Sequence, residues 1–552
     1  MKAWKKIASM LLALAMMAGC GSSGSSKSKY DAATTFRFGS EGDVVSMDSA
    51  YIDEGMSFNA IHLQQEGLTM NDENGKIVNG VAKSYAVSKD GKTYTFKLRE
   101  DAKWDNGDPV TANDFVFAWK RAFKVTGLYY YMFGDDAAHI VGGAEAVAAT
   151  DNGELTDEIL DGLGVKAIDD KTLQVKLTTK TPYFYDLMSF PCFYPQNEKF
   201  VTECGEDYGK DAEHLLSNGA YKLTSWTKSK TMEFEKNENY FNADKVAMDH
   251  FVMELAMDPQ SAASNFDTDE LDFTIITSSI VDKYKDTDSY LSFSEGYLYY
   301  LELNMKNEDL QNLNIRKGLS LAIDREDICN NVLKDGSIPA TGFVPTGLSY
   351  NGAKEFRKTS KATGKYTTFD LTAAQEAIDK GLKELGKDSV TLGLIYDTDY
   401  SPMDIYAEYL QGVWSKLKGV NIEVAGTTKQ DRIYNREKNG DFDIACTRWG
   451  PDYPDATTYL TLRISGNAQN YGKYDSAAYD KLMKQVSKEE DMDKRFDKMI
   501  EAEEVLLADY DTIPVFEKAG CGLLQTSVKG LVTKSFGVPL TFTYVTKTAE
   551  TK

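Results

Sequence analysis

The segment RWGPDYPDATTYL, Arg448–Leu460, places a tryptophan, two aspartates and two prolines in one short stretch. This composition has two interpretations, a structural turn or a corner of a binding site. In the first, Asp452 caps its own backbone before Pro454, which is common turn chemistry. In the second, the Asp452 carboxylate supplies a charge to a ligand. The residues alone leave both open, whereas Pro454 and Asp455 are expected to be turn structure.

Motifs for catalysis and for metal binding are missing from the sequence. The histidines are scattered along the chain, without an HExxH or CxxC pattern, at His62, His139, His214 and His250. A nucleophile elbow is absent, and the GKT at Gly91–Thr93 has Ala86 where a phosphate loop needs glycine. We therefore expect no enzyme, no catalytic residue, no metal and no cofactor, although a catalytic pair of carboxylates from distant segments would leave no motif in the sequence.

Length and charge narrow the class of protein. A chain of 552 residues exceeds the size of one hydrophobic core, so two or three domains are expected. The net charge of -23 argues against nucleic acid as a partner, because phosphate binding needs clustered Lys and Arg. We expect a monomer whose acidity serves solubility.

The N-terminus indicates export and anchoring. Residues 1–19 combine three lysines with a short apolar run, as in a secretory signal peptide. The signal ends in Met-Ala-Gly before Cys20, which resembles the lipobox of bacterial lipoproteins and predicts lipidation of that cysteine. An ordinary secretory signal with a chance cysteine is the alternative. Residues 20–30 are predicted to be a flexible tether, and no later apolar run is long enough for a transmembrane helix.

Five cysteines remain after Cys20, at Cys192, Cys204, Cys329, Cys446 and Cys521. They are too few for a disulfide framework. We expect buried free thiols, with a Cys192–Cys204 bridge as the one alternative.

The periodicity predicts a mixed α/β chain. Two hairpins, YAVSKDGKTYTFKL and VKAIDDKTLQVKL, alternate apolar and polar residues. Between them Thr111 can cap a helix with Asp114 three residues later. NLNIRKGLSLAIDREDI predicts a further helix. The later half alternates helix patterns with the strand patterns VTLGLIYD, VNIEVAG and FDIACT, which is typical of an α/β lobe with a largely parallel sheet.

Four stretches taken together resemble the oligopeptide-binding proteins of ABC importers. They occur in the same order and at similar spacing as in that family: NGVAKSYAVSKDGKTYTFKLREDAKWDNGDPVTANDFVFAWKRA, SNGAYKLTSW, NIRKGLSLAIDRE and RWGPDYPDATTYL. The resemblance runs from about Phe36 to near the C-terminus. It implies an α/β, two-lobed periplasmic-binding-protein-like fold (type II, cluster C), with an additional third domain and a ligand cleft between the lobes.

The resemblance also implies domain boundaries. Lobe I is expected to be discontinuous and the other domains continuous: 31–79 with 200–295 and 515–552 for lobe I, 80–199 for the additional domain, and 296–514 for lobe II. Because the chain then crosses between lobes more than once, closure by rigid-body motion about a hinge is expected.

The resemblance assigns roles to two sets of residues. Asp452 falls on the aspartate that binds the peptide's free α-amine. Arg448, Trp449 and Gly450 match the edge strand that pairs with the peptide backbone, and the facing backbone stretch falls at Glu54, Gly55 and Met56. Main-chain bonding of this kind suits a carrier of many sequences, because all peptides share a backbone.

The sequence departs from the family at the other end of the ligand. Enteric members carry an arginine that helps to hold the peptide carboxylate, and Cys446 stands at that position. Another arginine position is occupied by Glu437, with Arg436 beside it. Two alternatives follow: a different cation for the C-terminus, or a cleft that lets longer peptides run out.

The function that this resemblance implies is capture of oligopeptides at the extracytoplasmic face of the cell membrane. The expected partners are an oligopeptide ligand, two ABC permease subunits with their ATPases, and the membrane through the lipid anchor. The serine-rich tether favours a Gram-positive surface over a periplasm. The alternatives are a receptor for a signalling peptide, a carrier for a dipeptide, haem or nickel chelate, and a surface hydrolase.

Overall fold

The structure is a computed structural model that describes residues 30–52, 55–125, 127, 129–399 and 402–548. The predictions for the signal peptide, for lipidation at Cys20, for most of the tether and for Glu54 fall on residues outside these ranges. Within the described ranges, no helix combines the length and the apolar character needed to cross a bilayer.

The N-terminal part begins a central sheet and then forms a buried helix. Its elements are β1 (Thr35–Gly39), α1 (Gly55–Gln64), β2 (Thr69–Asn71) and β3 (Ile77–Asn79). Helix α1 is buried along most of its length and carries polar as well as apolar side chains. It therefore lies between other elements and not on the surface.

A separate four-stranded sheet follows, in the order β4-β5-β7-β6. Its segment contains β4 (Ala82–Val87), β5 (Thr93–Leu98), α2 (Ala112–Val125), α3 (Gly143–Asp151), α4 (Asp157–Asp161), β6 (Val165–Asp169), β7 (Thr172–Lys176), α5 (Phe184–Leu187) and α6 (Glu198–Cys204). Both predicted hairpins are confirmed, because β4 pairs with β5 and β6 with β7, each antiparallel. The alternating residues Tyr94, Phe96 and Leu98 are buried, as the pattern requires.

The predicted capping of α2 is confirmed. The Thr111 amide donates to the Asp114 carboxylate at 2.8 Å, and the Asp114 amide donates to the Thr111 hydroxyl at 3.4 Å. Each group satisfies an amide that the first turn of a helix leaves without an intrahelical partner. The apolar face of α2, with Phe115 and Trp119 fully buried, packs into the core of this region.

The chain then returns to the central sheet. The next elements are β8 (Tyr221–Thr227), β9 (Thr231–Lys236), β10 (His250–Glu254), α7 (Pro259–Asp267), β11 (Phe273–Ile275), α8 (Ser278–Tyr284) and β12 (Tyr290–Leu303). Strand β1 pairs in parallel with β10 and β11, whereas β8, β9 and β10 form an antiparallel run.

The second half contains the predicted alternation of helices and strands. Its elements are α9 (Leu313–Leu321), α10 (Arg325–Asp327), β13 (Ile338–Pro339), β14 (Tyr350–Asn351), β15 (Lys354–Glu355), α11 (Phe356–Thr359), α12 (Leu371–Leu385), β16 (Val390–Asp397), α13 (Met403–Trp414), β17 (Val420–Thr427), α14 (Lys429–Asp431), β18 (Ile444–Trp449), α15 (Thr457–Leu460), α16 (Ala477–Val486), α17 (Met492–Ala508), β19 (Thr512–Leu524) and the short strands β20 (Val528–Lys529), β21 (Val532–Thr533), β22 (Leu540–Thr541) and β23 (Thr546–Lys547).

The central sheet has 11 strands, and its main path runs β17-β16-β18-β12-β19-β11-β1-β10-β9-β8. Strand β16 is parallel to β17 and β18, as predicted for this half. The prediction of a largely parallel sheet fails at β12 and β19, which are antiparallel to each other and to their neighbours β18 and β11. These two strands are the longest of the sheet and lie at its centre.

Strands β12 and β19 connect separate hydrophobic cores. Three large clusters of buried side chains form these cores. The first core is built from residues 36–293 with 453 and 528–545, the second from 299–516, and the third from 298–507. Within β12, Phe293 belongs to the first core and Tyr299 to the second. One strand therefore passes between two independently packed halves.

The crossing in β12 is marked by a bulge. Its pairing with β19 shifts register between Ser294 and Leu298. Gly296, inside the bulge, has φ +76°, a conformation that costs glycine little and other residues more. A Cβ on Gly296 would lie 1.7 Å from the Ser535 carbonyl oxygen.

The five cysteines in the described chain are all free thiols. The expectation of free thiols is confirmed, and the alternative Cys192–Cys204 bridge is absent.

We predict that Gly296→Ala lowers the free energy of unfolding by roughly 1–3 kcal/mol, because alanine meets both the strained φ and the Ser535 carbonyl. The matched control is Gly412→Ala in the exposed part of α13, where a Cβ has open space. There the same change is expected to stabilise by about 0.5–1 kcal/mol through helix propensity. Chemical denaturation measures both, and equal effects at the two sites would contradict the account of the bulge.

Candidate functional site

The carboxylate of Asp452 points away from its own turn, across to the segment between β5 and β6. Its Oδ2 accepts a hydrogen bond of 2.7 Å from the Tyr131 hydroxyl. The Asp452 amide donates to the Thr458 hydroxyl at 3.3 Å, which holds the backbone of the turn. The carboxylate is thus presented to a distant part of the chain and does not cap its own backbone.

The environment of Asp452 opposes its negative charge. Burial raises the pKa of Asp452 to about 7, and the hydrogen bond from Tyr131 opposes that shift only in part. Within the described chain, Asp452 forms no ion pair, although the residue keeps part of its surface accessible. A desolvated carboxylate of this kind would gain stability from a cation placed beside it.

Asp455 has a different, structural partner. Its carboxylate accepts two hydrogen bonds from the Arg495 guanidinium, at 2.7 and 2.8 Å, and two more from the amide and hydroxyl of Thr457. Burial works to raise the pKa of Asp455, but Arg495 and the hydrogen bonds from Thr457 together lower it below its usual value. The expectation that Asp455 belongs to the turn is confirmed, while its pairing with Arg495 had no signal in the sequence.

The segment before Asp452 forms the last part of β18. Strand β12 pairs with β18 over its whole length, whereas on the other side the ladder with β16 includes Ile444 and Ala445 and ends there. The side chain of Trp449 packs against the third core. Gly450 lies under the ring of Tyr297, whose atoms would come within 2.6 Å of a Cβ at this position.

The other predicted backbone stretch lies in the first half of the molecule. Gly55 is the exposed first residue of α1, and the Met56 sulfur accepts a hydrogen bond of 3.1 Å from the Ser40 hydroxyl. Met56 packs against the first core. Glu54 lies outside the described residues. Gly55 and Met56 and the β18 residues therefore belong to opposite halves.

Contacts next to Asp452 join the turn to the segment that contains the four-stranded sheet. The rings of Tyr183 and Tyr453 stack with centroids 4.1 Å apart and planes 7° apart. The Tyr453 hydroxyl donates to the Asp136 carbonyl at 3.0 Å. We call this set of contacts the tyrosine latch. The two consecutive residues thus have different roles: Asp452 carries the charge, and Tyr453 makes the contact between regions. The partners of both residues lie far away along the chain, and no motif in the sequence predicts them.

A second tyrosine connects the β12 bulge to the end of β18. The buried Tyr459 hydroxyl lies 2.8 Å from the Gly296 carbonyl oxygen and 2.9 Å from the Trp449 carbonyl oxygen. One hydroxyl proton serves one of these acceptors at a time. In addition, the Gly537 amide donates to the Pro451 carbonyl at 3.3 Å, so the C-terminal segment also reaches the turn.

At the two positions where enteric members of the family carry arginine, this chain has Cys446 and Glu437. Cys446 is fully buried in the second core, where burial raises the pKa of its thiol. Glu437 is buried and accepts a hydrogen bond of 2.6 Å from Arg432. Burial raises the pKa of Glu437 to about 8, with Arg432 opposing the shift. Arg436 instead pairs with the exposed Asp441 at 2.7 Å.

A buried arginine, Arg432, contacts Glu437 at one of these two positions, and the sequence analysis did not identify it. Its Nε donates to Asp397 at 2.5 Å and its Nη1 to Thr447 at 3.1 Å. Arg448 donates to the other Asp397 oxygen at 2.9 Å. We call Arg432, Arg448, Asp397 and Glu437 the charge cluster. Among the described residues, no group of three potential ligands could hold a metal ion.

Comparison with known proteins assigns the chain to a family. Residues 76–471 match the model described as bacterial extracellular solute-binding proteins, family 5. This chain belongs to that family. The fold class predicted from the sequence, α/β with two lobes, is thereby confirmed.

Individual relatives match the family 5 chain over nearly its whole length. A dipeptide-binding protein of Lactococcus lactis is 31% identical and covers 95% of each chain, and the oligopeptide-binding protein OppA of Bacillus subtilis is 30% identical over 97% of this chain and 98% of its own. Among solved structures, Listeria monocytogenes OppA bound to peptide has a TM-score of 0.78 and 33% identity, and covers 94% of this chain and 99% of that one.

We predict that Tyr183→Ala shifts the protein toward an open arrangement of its lobes, because the stack with Tyr453 holds two regions together. Small-angle scattering should record a larger radius of gyration. The control is Tyr185→Ala, two residues further on in helix α5, where the tyrosine ring contacts Tyr85 within its own region. An unchanged radius of gyration for Tyr183→Ala, or an equal increase for both variants, would contradict a closing role for the latch.

Proposed function

We propose that this family 5 protein captures oligopeptides by their free α-amine in a cleft between its lobes and delivers them to an ABC importer permease. The observation that carries the proposal is Asp452, a desolvated carboxylate with a hydroxyl partner, no ion pair in the described chain, and part of its surface accessible. An ammonium group is the complement of such a site, since it brings both the missing charge and hydrogen-bond donors.

Backbone pairing would supply the rest of the affinity. The last residues of β18, including Arg448 and Trp449, have a strand neighbour in β12 and lie beyond the ladder with β16. An extended peptide could add there, with Gly450 at the amine end and with Gly55 and Met56 as the facing stretch. Glu54 belongs to the same proposed stretch. Each backbone bond contributes about 0.5–1.5 kcal/mol, so several are needed.

The relatives support a binding function and not catalysis. The names of two relatives refer to dipeptide and oligopeptide binding, and the Listeria protein was solved with a peptide. The first of these names keeps a dipeptide carrier as the second candidate. A solved structure described as that of a pheromone receptor is 28% identical to this chain, with a TM-score of 0.78, and keeps a signalling-peptide receptor among the candidates. A carrier of haem or of a nickel chelate, and a surface hydrolase, have no comparable observation in their favour.

The domain boundaries and the monomeric state predicted above are part of this proposal. So is attachment to the extracytoplasmic face of the membrane through a lipid on Cys20. The permease subunits and their ATPases would then meet a carrier that is held beside them by its tether.

We predict that N-acetylation of a bound peptide, and separately Asp452→Asn, each weaken binding by about 2–5 kcal/mol, because each removes one member of a desolvated charge pair. Calorimetric titration with peptides selected from a random library measures the loss. Asp475→Asn, an exposed carboxylate, is the control and should bind as the wild type does. Equal affinity for acetylated and free peptides would contradict the proposal.

The pH dependence gives an independent readout of the same variant. Since the amine binds the ionised carboxylate and the pKa of Asp452 in the free protein is about 7, binding releases a proton at lower pH. Affinity should therefore fall as the pH is lowered from 7 to 5, while the peptide amine, with a pKa of about 8, stays charged. In Asp452→Asn this acid limb should disappear.

We predict that the protein fractionates with membranes when expressed from its full sequence in a bacterium, and that Cys20→Ser releases it, because the variant lacks the acceptor of the lipid. Detergent-phase partitioning measures this difference. Cys204→Ser, which alters a partly exposed thiol of the folded body, is the control. Equal membrane association of wild type and Cys20→Ser would contradict the anchor.

A further inference from the structure

The path of a ligand that starts at Asp452 is limited by the pairing of β18. A peptide with its amine at Asp452 that adds to β18 must run antiparallel to that strand, from Gly450 back toward Thr447. The ladder with β16 already occupies this side at Ala445. At about 3.3 Å per residue, roughly four or five ligand residues fit between the two points.

At the far end of this path lies the charge cluster. Asp397 is the last residue of β16, and Thr447 on β18 accepts a hydrogen bond from Arg432. The free carboxylate of a short peptide would therefore lie beside Arg432 and Arg448, the two arginines of the charge cluster.

Both guanidiniums already have carboxylate partners inside the protein. Arg432 donates to Asp397 and to Glu437, and it is 2% exposed. Arg448 donates to the same Asp397, whose side chain is fully buried. The cluster contains two arginines and two acidic residues in direct contact, and a ligand carboxylate would have to compete with internal partners that need no ordering on binding.

The remaining position at this end offers no cation. Cys446 faces the second core, on the side of the sheet that also holds Leu301. The nearby Arg436 is bonded to Asp431 and Asp441 in an exposed group outside the charge cluster.

We infer that the protein recognises the amine end of its peptide and is indifferent to the carboxylate end, so that its substrate class is peptides with a free N-terminus and either a free or a blocked C-terminus. This inference rests on the proposed function. It favours a carrier whose ligands extend beyond the cluster over one that measures the length of a short peptide.

The test compares one pentapeptide, selected from a random library for binding, in three forms: free acid, C-terminal amide and N-acetylated acid. Calorimetry on the whole mature protein should give acid and amide affinities within about threefold of each other, and a loss of more than about thirtyfold for the acetylated form. A preference of about tenfold or more for the acid would overturn the inference and leave the proposed function intact. Equal binding of the acetylated form, or no binding of any pentapeptide, would overturn both.

Two variants test the cause. Asp397→Asn removes, at nearly constant shape, the carboxylate that pairs with both arginines, so a guanidinium should become available to the ligand and the acid should gain about tenfold over the amide. Asp441→Asn removes an exposed carboxylate from Arg436 and should leave the ratio unchanged. A folded Asp397→Asn variant with the wild-type ratio would overturn the explanation, and the wild-type comparison decides the inference if this variant does not fold.

Discussion

The antiparallel pairing of β12 with β19 is the constraint on which the rest of the molecule depends. These strands are the only long ones at the centre of the described sheet, and each contributes buried side chains to more than one hydrophobic core. Hinge closure of the lobes, which the resemblance leads us to expect, would have to bend these two paired strands, and this would restrict the closure to a small number of directions. The bulge at Gly296 lies in β12 between the residues that enter the first core and those that enter the second. Tyr459 connects this bulge to β18, the strand that leads to Asp452.

Buried charge is used in two opposite ways around β18. In the charge cluster, and at Asp455 with Arg495, acids and arginines satisfy each other and become part of the scaffold. At Asp452 the carboxylate is left with a tyrosine hydroxyl, and the cost of burial appears as a raised pKa. Because Asp452 has no cationic partner among the described residues, while Asp397 beside β18 and Asp455 in the same turn do, an external cation is favoured at this position.

Local signals in the sequence predicted local structure well. The capping pair Thr111 and Asp114, the alternation in β5 and the helix patterns of the second half all describe interactions between residues close in the chain. The antiparallel setting of β12 and β19 could not be predicted, because it depends on pairing between strands more than 200 residues apart. For the same reason the sequence predicted individual residues of the candidate site but not the contacts between them. Asp452 came from a motif, whereas its partner Tyr131 and the cation Arg432 are joined to it or its strand only by the fold.

The first core contains both ends of the described chain. Phe36 and Phe38, near the N-terminus, pack against Phe542 with ring centroids 5.7 and 5.4 Å apart. Because the ribosome synthesises the chain from its N-terminus, the first core lacks several of its residues until the C-terminal segment has been made. The second core, which closes at Phe516, is complete earlier. A nascent chain can thus complete its second core before its first, because the first core also needs Phe542 and its neighbours.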